Sequence, residues 1–501
     1  MRVKLQEKIV KLIPSEVWEV FKKFTEKGYE IYLVGGGVRN LLSEKIPVNC
    51  DFTTNAPPEV IQGFFKNSYY DTRFGTVGVP MKTKRGKEVY EITTYRKEWG
   101  YSDRRRPDKV EWAKTLKEDL KRRDFTINAM VIGPILKNGK WDGKSLEFID
   151  LFGGQKDLQN KIIRAVGDPE KRFAEDALRL MRAVRFATTL GFEIEKATQE
   201  AIKKNSSLLK MISKERIRDE LTKIIMSERA AQGIELLRKL GLLRYIIPEL
   251  EEGYGVSQNK HHIYDCYEHA LRSLDYAAKK NYGKHVRFAA LLHDIGKPRT
   301  KRGEGPDATF YGHEIVGAKM TAQILNRLRY PKRDIEKIVT LVRYHLFYYN
   351  VGEVGESSVR RLLRKVGPEN IEELLQLRYC DRIGSGCPKA EPYKLRHLRY
   401  VIEKVSQDPI SVRMLKVSGN DVMEILKIKP GPKVGQVLDI LLGEVLEDPQ
   451  KNTKEYLMKK IKELGKLSDE ELASLAQRAR EEREKIEMKR DEMTKKKYWV
   501  T

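Results

Sequence analysis

Carboxylates and arginines surround a run of three glycines in the first fifth of the chain. Gly36 and Arg39 lie in the segment GGGVRN, which follows the apolar run IYLV. Because backbone N–H groups at a glycine turn approach an anion closely and a guanidinium donates two parallel hydrogen bonds, this segment predicts a phosphate-binding loop. Asp51 and Glu91 lie in two later strand-like segments, VNCDFTT and VYEITTYR. Carboxylate oxygens are the ligands that Mg²⁺ prefers, so the pattern favours phosphoryl or nucleotidyl transfer.

A second group of residues predicts a metal centre of a different kind. The region from about 256 to 390 holds seven of the eight histidines of the chain. An adjacent pair, His293 and Asp294, ends an apolar helical run, and further histidine and aspartate residues lie on separate helical segments. Imidazole and carboxylate groups from several helices commonly bind one divalent ion.

The spacing of apolar residues predicts the elements that would hold these groups. Residues 1 to about 25 have the pattern of an amphipathic helix, and alternating segments between 70 and 150 predict strands of a mixed α/β domain. From about 155 the apolar period becomes helical, as in EDALRLMRAVRFATTL and KERIRDELTKII. A Pro-Gly-Pro break at 430–432 predicts a helical hairpin, and the segment from about 467 predicts a charged helix.

Composition narrows the classes of partner and compartment. Lys and Arg number 97 against 72 Asp and Glu, a net charge of +25 that predicts a polyanionic partner, with nucleic acid preferred. The apolar runs are far shorter than the ~18 residues that span a bilayer, so no membrane segment is expected. The N-terminus has no apolar leader, and four cysteines without a CxxC pair predict neither disulfides nor a cysteine zinc site. The expected location is the reducing cytoplasm.

Seven segments between residues 35 and 221 follow one another in a recognisable order. They are GGGVRN at 35–40, NCDFTTNAPPEV at 49–60, EITTYR at 91–96, YSDRRRP at 101–107, DLKRRDFTINAM at 119–130, the long segment at 150–192, and KERIRDEL at 214–221. In this order the chain resembles the nucleotidyltransferase superfamily, and specifically the class II tRNA nucleotidyltransferases (CCA-adding enzymes) and bacterial poly(A) polymerases.

This resemblance implies that a nucleotide is transferred from CTP or ATP to an RNA 3′ end, with Mg²⁺ as cofactor. Asp51 would be the second metal-binding aspartate of an Asp-x-Asp motif, Glu91 the supporting acid, and Gly36 and Arg39 contacts to the triphosphate. The residues of the next motif that would contact triphosphate and ribose are Arg122, Arg123, Asp124 and Asn128. The residues that match the family's protein template for the base are Glu175, Asp176 and Arg179.

The spacing of the template residues agrees with reading of a base. Asp176 and Arg179 are three apart, and on a helix they would share a face where an acceptor beside a donor fork can match the edge of cytosine or adenine. Arg182 and Arg185 continue at the same interval, where contact with phosphate is expected. With the upstream segments present, we interpret this ladder as nucleotide-binding rather than as a solvated helix face.

Two positions depart from the family's pattern. The first acid of Asp-x-Asp, a catalytic and metal-binding position, is Asn49, and the Asp that usually follows Val-Arg is Asn40. An amide cannot supply the anionic ligand that bridges two Mg²⁺ ions, so Asn49 predicts weak metal binding and a low rate. Three explanations compete: an engineered inactivation, a natural divergence, or a paralogue specialised for part of the reaction. Two neighbouring differences slightly favour natural divergence.

The segment 96–112 matches the family's flexible loop, which supports the switch from adding C to adding A. Its presence favours a CCA-adding or A-adding enzyme over a CC-adding one. The arginines of this loop, Arg104 to Arg106, are also expected to face a nucleotide.

The histidine-rich region resembles the HD phosphohydrolase family. The resemblance implies four ligands to a divalent ion of unknown identity, namely His269, His293, Asp294 and Asp381. His313 and His345 match the extra histidines of members with a second metal. In bacterial tRNA nucleotidyltransferases such a domain is associated with phosphatase or cyclic phosphodiesterase activity, so we expect hydrolysis rather than a purely structural role. The remaining histidines are interpreted as surface or core residues: His261, His262, His285 and His397.

We therefore predict an α/β nucleotidyltransferase head with a mixed sheet and helices, followed by an all-α neck, HD body and tail. The expected domains are a head at 1–150, a neck with the base-reading helix at 151–250, an HD domain at 251–390 and an RNA-binding helical tail at 391–501. The body and tail would hold tRNA by shape and phosphate contacts, since duplex RNA offers little readable sequence in its deep groove.

The predicted function is addition of CMP or AMP from CTP or ATP to the tRNA 3′ end without a nucleic-acid template. Four alternatives stay open: a poly(A) polymerase, a CC-only or A-only enzyme, an HD hydrolase whose head is an RNA-binding module weakened by Asn49, and a non-catalytic tRNA-binding protein. The oligomeric state is also left open.

Overall fold

A computed structural model of the chain describes residues 1–47, 50–71, 75–99, 109–259, 263–406 and 412–500. The chain forms two compact units, one made of residues 1–346 and 372–388 and the other of residues 347–371 and 389–501. Within the described ranges, no helix has the length and apolar character that crossing a membrane requires. The four cysteines all lie in these ranges and form no disulfide, as the sequence predicts.

The strands belong to the first unit. They are β1 Arg2–Lys4, β2 Ile31–Val34, β3 Asp51–Thr54, β4 Tyr69–Asp71, β5 Thr76–Thr83, β6 Gly86–Thr94, β7 Arg96–Trp99, β8 Lys109–Trp112, β9 Met130–Lys137, β10 Lys140–Asp150, β11 Ile162–Ile163 and β12 Glu193–Ile194.

Helices make up most of the remaining chain. In the first half they are α1 Glu7–Val10, α2 Ser15–Thr25, α3 Gly36–Leu42, α4 Pro58–Phe64, α5 Leu116–Lys121, α6 Gly154–Gln159, α7 Pro169–Glu175, α8 Leu178–Leu190, α9 Lys196–Asn205, α10 Lys214–Ile225, α11 Ala230–Lys239 and α12 Pro248–Glu251. In the second half they are α13 Cys266–Lys279, α14 Lys284–Leu292, α15 Lys297–Thr300, α16 His313–Arg327, α17 Lys332–Tyr344, α18 Glu356–Val366, α19 Ile371–Gly384, α20 Tyr393–Ser406, α21 Gly419–Leu426, α22 Pro432–Glu447, α23 Lys454–Leu464 and α24 Asp469–Lys497.

An eight-stranded sheet forms the head, in the order β1-β10-β9-β2-β3-β6-β5-β4. The pair β3 and β6 is parallel, and the other neighbours are antiparallel. All four residues of β2 are buried because alternate side chains enter two different cores, Ile31 and Leu33 on one face and Tyr32 and Val34 on the other. The mixed sheet confirms the predicted class of the head.

The N-terminal prediction of one amphipathic helix over residues 1 to 25 is wrong in detail. Residues 2–4 form the edge strand β1, which pairs with β10, and α2 begins only after Pro14. Proline has no N–H and clashes with the preceding turn, so a helix cannot continue through it. The helix α2 is amphipathic, and its apolar face packs on the sheet through Val17, Val20, Phe21 and Phe24.

The helical part follows the apolar spacing closely where the signal is local. The segment KERIRDELTKII is α10 from end to end. The hairpin predicted around Pro-Gly-Pro is present, with α21 before Gly431 and α22 beginning at Pro432. The charged C-terminal segment is α24, a helix of 29 residues. The domain divisions at 150, 250 and 390 stay predictions.

Candidate functional site

Two of the predicted carboxylates are brought together by the parallel pair of strands. Asp51 begins β3 and lies in register with Glu91 on β6. Burial raises the pKa of Asp51, and the neighbouring charge of Glu91 raises it further, while Arg123 opposes this shift. A cation bound near two such acids would favour the ionised form of both.

The glycine turn lies directly beside this carboxylate. Gly35 has a φ of +71°, which a residue with a side chain rarely adopts, and a β-carbon built on it would lie 3.6 Å from Oδ2 of Asp51. A β-carbon built on Gly36 would lie 3.5 Å from Nη2 of Arg39, which is on the same helix. The predicted phosphate loop and the predicted metal-binding acid therefore form one site.

Asp119, which the sequence analysis did not single out, organises the arginine motif. Its side chain has no exposure, and it accepts from Nη2 of Arg122 at 2.8 Å and from Nη2 of Arg123 at 3.3 Å. Thr53, two residues beyond Asp51 on β3, donates to its other side through Oγ1 at 3.0 Å. Although burial alone would raise it, the two arginines hold the pKa of Asp119 at about 2. The arginine pair is thus fixed to the strand that carries Asp51.

A second network joins the glycine helix to the long helix of the neck. Nη1 of Arg39 donates to Oδ1 of Asn128 at 2.6 Å, and Nδ2 of Asn128 donates to Oδ1 of Asp124 at 3.1 Å. Arg182 on α8 donates to Oδ2 of Asp124 through Nε at 2.8 Å and through Nη2 at 2.5 Å. Burial opposes ionisation of Asp124, yet Arg182 and the other donors hold its pKa well below the usual range. Arg39, Asn128, Asp124 and Arg182, all predicted to bind nucleotide, are therefore linked by one hydrogen-bond network.

The predicted template residues are close together but are not arranged as expected. The helix breaks at Asp176, which has extended φ and ψ of −133° and 103°, so Asp176 and Arg179 do not share a helix face. The carboxylate of Asp176 accepts instead from both Nη atoms of Arg216, at 3.1 and 2.9 Å, and caps α8 by accepting from the N–H of Leu178 at 3.1 Å. These two partners stabilise the break.

Arg179 has its own partners across the break. Its Nη1 donates to Oε2 of Glu175 at 2.7 Å, and its Nη2 donates to the carbonyl of Arg122 at 2.8 Å. The interval of three from Arg179 to Arg182 and Arg185 is helical, as predicted, because all three lie in α8.

Helix α10 contacts both Asp176 and helix α8 through charged side chains. Arg216 and Glu220 are one turn apart on α10, and they reach Asp176 and Arg185 respectively. Nε of Arg185 lies 2.6 Å from Oε2 of Glu220, whose side chain is almost fully buried. Sequence reasoning matched the segment KERIRDEL to the family but assigned no role to these two residues, because their partners lie about 35 to 40 residues away in the chain.

Three groups of predicted residues lie outside the described part of the chain. They are Asn49, the loop arginines Arg104 to Arg106, and the pair His261 and His262. The strands that flank the loop are described and form a two-stranded ribbon, with Arg96 of β7 in register with Trp112 of β8.

The six predicted HD residues converge in the first unit. They form two triads, within each of which the ligand atoms lie within 4.8 Å of one another: His269, His293 and Asp381 in one, and Asp294, His313 and His345 in the other. Asp294 also spans the two triads, because its Oδ2 lies 3.1 Å from Nε2 of His269 and its Oδ1 lies 3.3 Å from Nε2 of His313. Asp294 thus offers one carboxylate oxygen toward each triad.

The histidine tautomers test whether these residues fit a metal. Nδ1 of His313 and Nδ1 of His345 lie 2.8 and 2.7 Å from the carbonyls of Phe310 and Val342. A carbonyl can only accept, so both Nδ1 atoms carry a proton, and in the neutral imidazoles both Nε2 atoms present lone pairs. These Nε2 atoms face each other at 3.4 Å, an arrangement that a cation between them would stabilise. The residues fit a divalent ion.

Two cationic side chains that the sequence analysis did not select hold the carboxylates of this centre. Lys297, only 6% exposed, lies 2.6 Å from Oδ2 of Asp294. Nη1 of Arg378 donates to Oδ2 of Asp381 at 2.8 Å. Burial opposes ionisation, but Lys297 and His293 hold the pKa of Asp294 well below the usual range. Lys297 follows Asp294 by three residues in HDIGK, so helical spacing could have indicated it.

Two histidines interpreted as surface or core residues belong to neither triad and have other partners. Nε2 of His285 is 2.8 Å from Oδ1 of Asp334, and the hydroxyl of Tyr349 is 2.6 Å from Nδ1 of His397.

Three models of known families match separate parts of the chain. Residues 31–164 match the Poly A polymerase head domain, residues 191–253 match the probable RNA and SrmB-binding site of polymerase A, and residues 266–384 match the HD domain. A CCA-adding enzyme of Limosilactobacillus reuteri is 46% identical over 449 residues, which cover 89% of this chain and 96% of the relative. The chain belongs to the family of CCA-adding tRNA nucleotidyltransferases.

Other members of the family differ in the named product. An A-adding tRNA nucleotidyltransferase of Deinococcus radiodurans is 36% identical to this family member over 350 residues, or 66% of this chain and 76% of the relative. Among solved structures, the CCA-adding enzyme of Bacillus stearothermophilus in complex with CTP is 27% identical, with a TM-score of 0.55 over 92% of this chain and 98% of that one. Nucleotidyltransferases and HD proteins both use divalent metals.

Proposed function

We propose that this protein transfers CMP and AMP from CTP and ATP to the 3′ end of tRNA without a nucleic-acid template. The observation that supports the proposal is the proximity of Asp51, Glu91 and the glycine turn, because an acid pair beside such a turn would suit Mg²⁺ and a triphosphate. The names of the similar proteins support the substrates, since one relative is a tRNA nucleotidyltransferase and one neighbour was solved with CTP.

In the proposed reaction the RNA 3′-hydroxyl attacks the α-phosphate in line and pyrophosphate leaves. Asp51 and the residue at position 49 would hold Mg²⁺, with Glu91 supporting Asp51, and bound Mg²⁺ would neutralise charge on the triphosphate. Arg39 and Arg182, which are linked by hydrogen bonds through Asn128 and Asp124, would bind the triphosphate oxygens. Arg122 and Arg123, fixed by Asp119, would approach from the other side.

Base selection is proposed for the break between α7 and α8. Asp176 offers carboxylate oxygens and Arg179 a donor fork, which suit the amino group and the ring nitrogen of cytosine or adenine. Arg216 and Glu175 would keep each group in place before the base arrives. Selection by protein groups is what a reaction without a template requires.

The proposed domains follow the sequence: a head at 1–150, a neck at 151–250, an HD domain at 251–390 and a tail at 391–501. The basic surface of the body and tail would contact the tRNA backbone. A cytoplasmic location agrees with four cysteines that form no disulfide.

One experiment tests this function against its alternatives. The protein is incubated with Mg²⁺, each labelled nucleotide separately and tRNA lacking either the whole CCA end or only the final A, with D51N as the matched control. Addition of two C and one A supports a CCA-adding enzyme, and A added only to tRNA ending in CC indicates an A-adding one. A ladder of more than about three nucleotides would indicate a poly(A) polymerase. Binding of tRNA without incorporation would contradict the proposal.

A second activity, metal-dependent hydrolysis of phosphate esters at the HD centre, is supported by one observation. Asp294 spans two triads, and the neutral imidazoles of His313 and His345 present Nε2 lone pairs toward it, a donor set that suits divalent ions. Lys297 and Arg378 hold the carboxylates of Asp294 and Asp381 respectively and favour their ionised forms. Bound metal would supply an activated water and a positive site for the phosphate. Equal hydrolysis by wild type, H293A and D294A would assign the activity to a contaminant.

A further inference from the structure

Three arginines from two different helices surround one buried phenylalanine. The guanidinium carbon of Arg185 lies 3.8 Å from the ring centroid of Phe186, and those of Arg182 and Arg39 lie 5.3 and 5.4 Å from it. Phe186 is 6% exposed. Guanidinium groups within about 6 Å of a ring face are attracted by the electron density of the ring.

The charges around this ring do not balance. Arg182 is paired with Asp124 and Arg185 with Glu220, but the hydrogen-bond acceptor of Arg39 is the neutral amide of Asn128. Burial lowers the pKa of Arg39, the charges of Arg185 and Arg182 lower it further, and the nearby carboxylate of Asp124 opposes this shift. The three guanidinium groups repel one another, because among the described residues only two of them are paired with a carboxylate. All three contact the ring of Phe186.

We propose that Phe186 is a positioning residue, which holds Arg39, Arg182 and Arg185 together in the geometry that binds the triphosphate. The inference rests on the proposed nucleotide transfer, because it assigns the excess positive charge to a polyphosphate ligand. The ring lowers the cost of bringing the three cations together before the ligand arrives. A receptor arranged in this way loses less affinity to reorganisation when it binds.

The local geometry distinguishes this role from ordinary packing. Neighbouring residues on a helix do not face each other, yet the guanidinium of Arg185 folds over the ring of Phe186, the next residue in α8. The edge of the ring meets Phe125 at a centroid distance of 5.8 Å, which fixes the ring plane. Phe125 follows Asp124, so the residue that orients the ring adjoins the carboxylate that holds Arg182.

The test uses two kinds of variant of the full-length protein. One removes the ring, and the other keeps the ring but lowers the electron density on its face. F186L removes the ring at similar volume, and phenylalanines with one, two or three ring fluorines at position 186 keep its shape while weakening the attraction for cations. The probes are CTP and inorganic tripolyphosphate, measured by calorimetry without RNA. F288L is the matched control, since Phe288 is also buried and packs edge-on against Tyr330 in the HD region.

We expect F186L to lower the affinity for both probes by about 2- to 30-fold, the range of one cation–π contact at exposed to desolvated sites. Affinity should fall stepwise along the fluorine series while the melting temperature stays near that of the wild type. F288L should lower the melting temperature and leave both affinities unchanged. Constant affinity along the fluorine series would overturn the positioning role even if F186L fails to fold. Absence of binding of both probes to the wild type would instead refute the proposed nucleotide transfer.

Discussion

Asp51 and Glu91 face each other in register on β3 and β6, the one parallel pair among the described strands of the eight-stranded sheet. Parallel neighbours present equivalent positions at the same end of the sheet, so two strand-forming segments 40 residues apart deliver their acids to one place. The glycine turn after β2 meets them there because β2 is the other neighbour of β3. The sheet order thus assembles the site from three separate segments.

The first prediction concerns Asn49, the amide at the first position of the Asp-x-Asp motif. N49D should raise Mg²⁺-dependent incorporation of CMP or AMP into tRNA by orders of magnitude, because a second carboxylate restores the anionic ligand set. Incorporation of labelled nucleotide under single-turnover conditions measures the change. D51N should abolish activity in both backgrounds. An unchanged rate in N49D would show that Asn49 does not limit the head.

The second prediction concerns Asp119. D119N should destabilise the protein by about 3 kcal/mol, because two buried arginines lose their charged acceptor. Denaturant unfolding measures the change, with K117Q on the exposed side of α5 as control. Affinity for CTP should fall together with stability. Wild-type affinity in D119N would separate Asp119 from the nucleotide site.

Asp119 also predicts a pH dependence. Its pKa is about 2 in the folded protein against a usual 3.8, so folding favours the ionised form. Such a group stabilises the protein at pH values above about 4 and loses this contribution, about 2 kcal/mol, as the pH falls toward 2. Unfolding free energies of wild type and D119N should therefore converge in acid. A difference that stays constant from pH 5 to 2.5 would contradict the low pKa.

The third prediction concerns base selection. R216A should reduce discrimination between CTP and UTP by about 10-fold or more, because Asp176 loses the bidentate partner that orients it. Ratios of kcat/KM for the correct and incorrect nucleotides measure this effect. R216K keeps the charge but not the bidentate geometry and should be intermediate. Equal discrimination in R216A and wild type would leave Arg216 with a structural role only.

The fourth prediction concerns metal in the HD centre. H313A and H345A should lose one bound divalent ion per chain, while D294A should lose both, because Asp294 spans the two triads. Elemental analysis of protein equilibrated with Mn²⁺, Co²⁺ or Zn²⁺ measures the stoichiometry. H285A, which lies outside the triads, is the matched control and should bind as the wild type does. A full complement of metal in D294A would refute the bridging arrangement.

The fifth prediction concerns the net charge of +25. Binding of tRNA should weaken by at least about 100-fold between 50 and 200 mM salt, because phosphate contacts release counterions. Filter binding over a salt series measures the slope. Removing basic residues of α24, for example K489Q with R490Q, should make the slope shallower. A flat salt response would show that the charge is only a property of the surface.

What the sequence could predict depends on how far apart the interacting residues are. The strand β2, the glycine turn after it and helix α10 follow from local apolar spacing, and the order of motifs indicated the site residues. The break at Asp176 could not be predicted in this way, because it depends on Arg216, 40 residues later. Helical spacing could have indicated the contacts of Asp119 with Arg122 and Arg123, but not its contact with Thr53, which lies 66 residues earlier.

The HD histidines share a local feature with a wider consequence. His293, His313 and His345 each bond through Nδ1 to the carbonyl three residues before them, Ala290, Phe310 and Val342 respectively. Each imidazole is therefore oriented by its own stretch of backbone rather than by the ion. Because the rings are already oriented, we expect a divalent ion to bind here reversibly and without refolding of the domain. One divalent ion could then replace another in this domain without unfolding it.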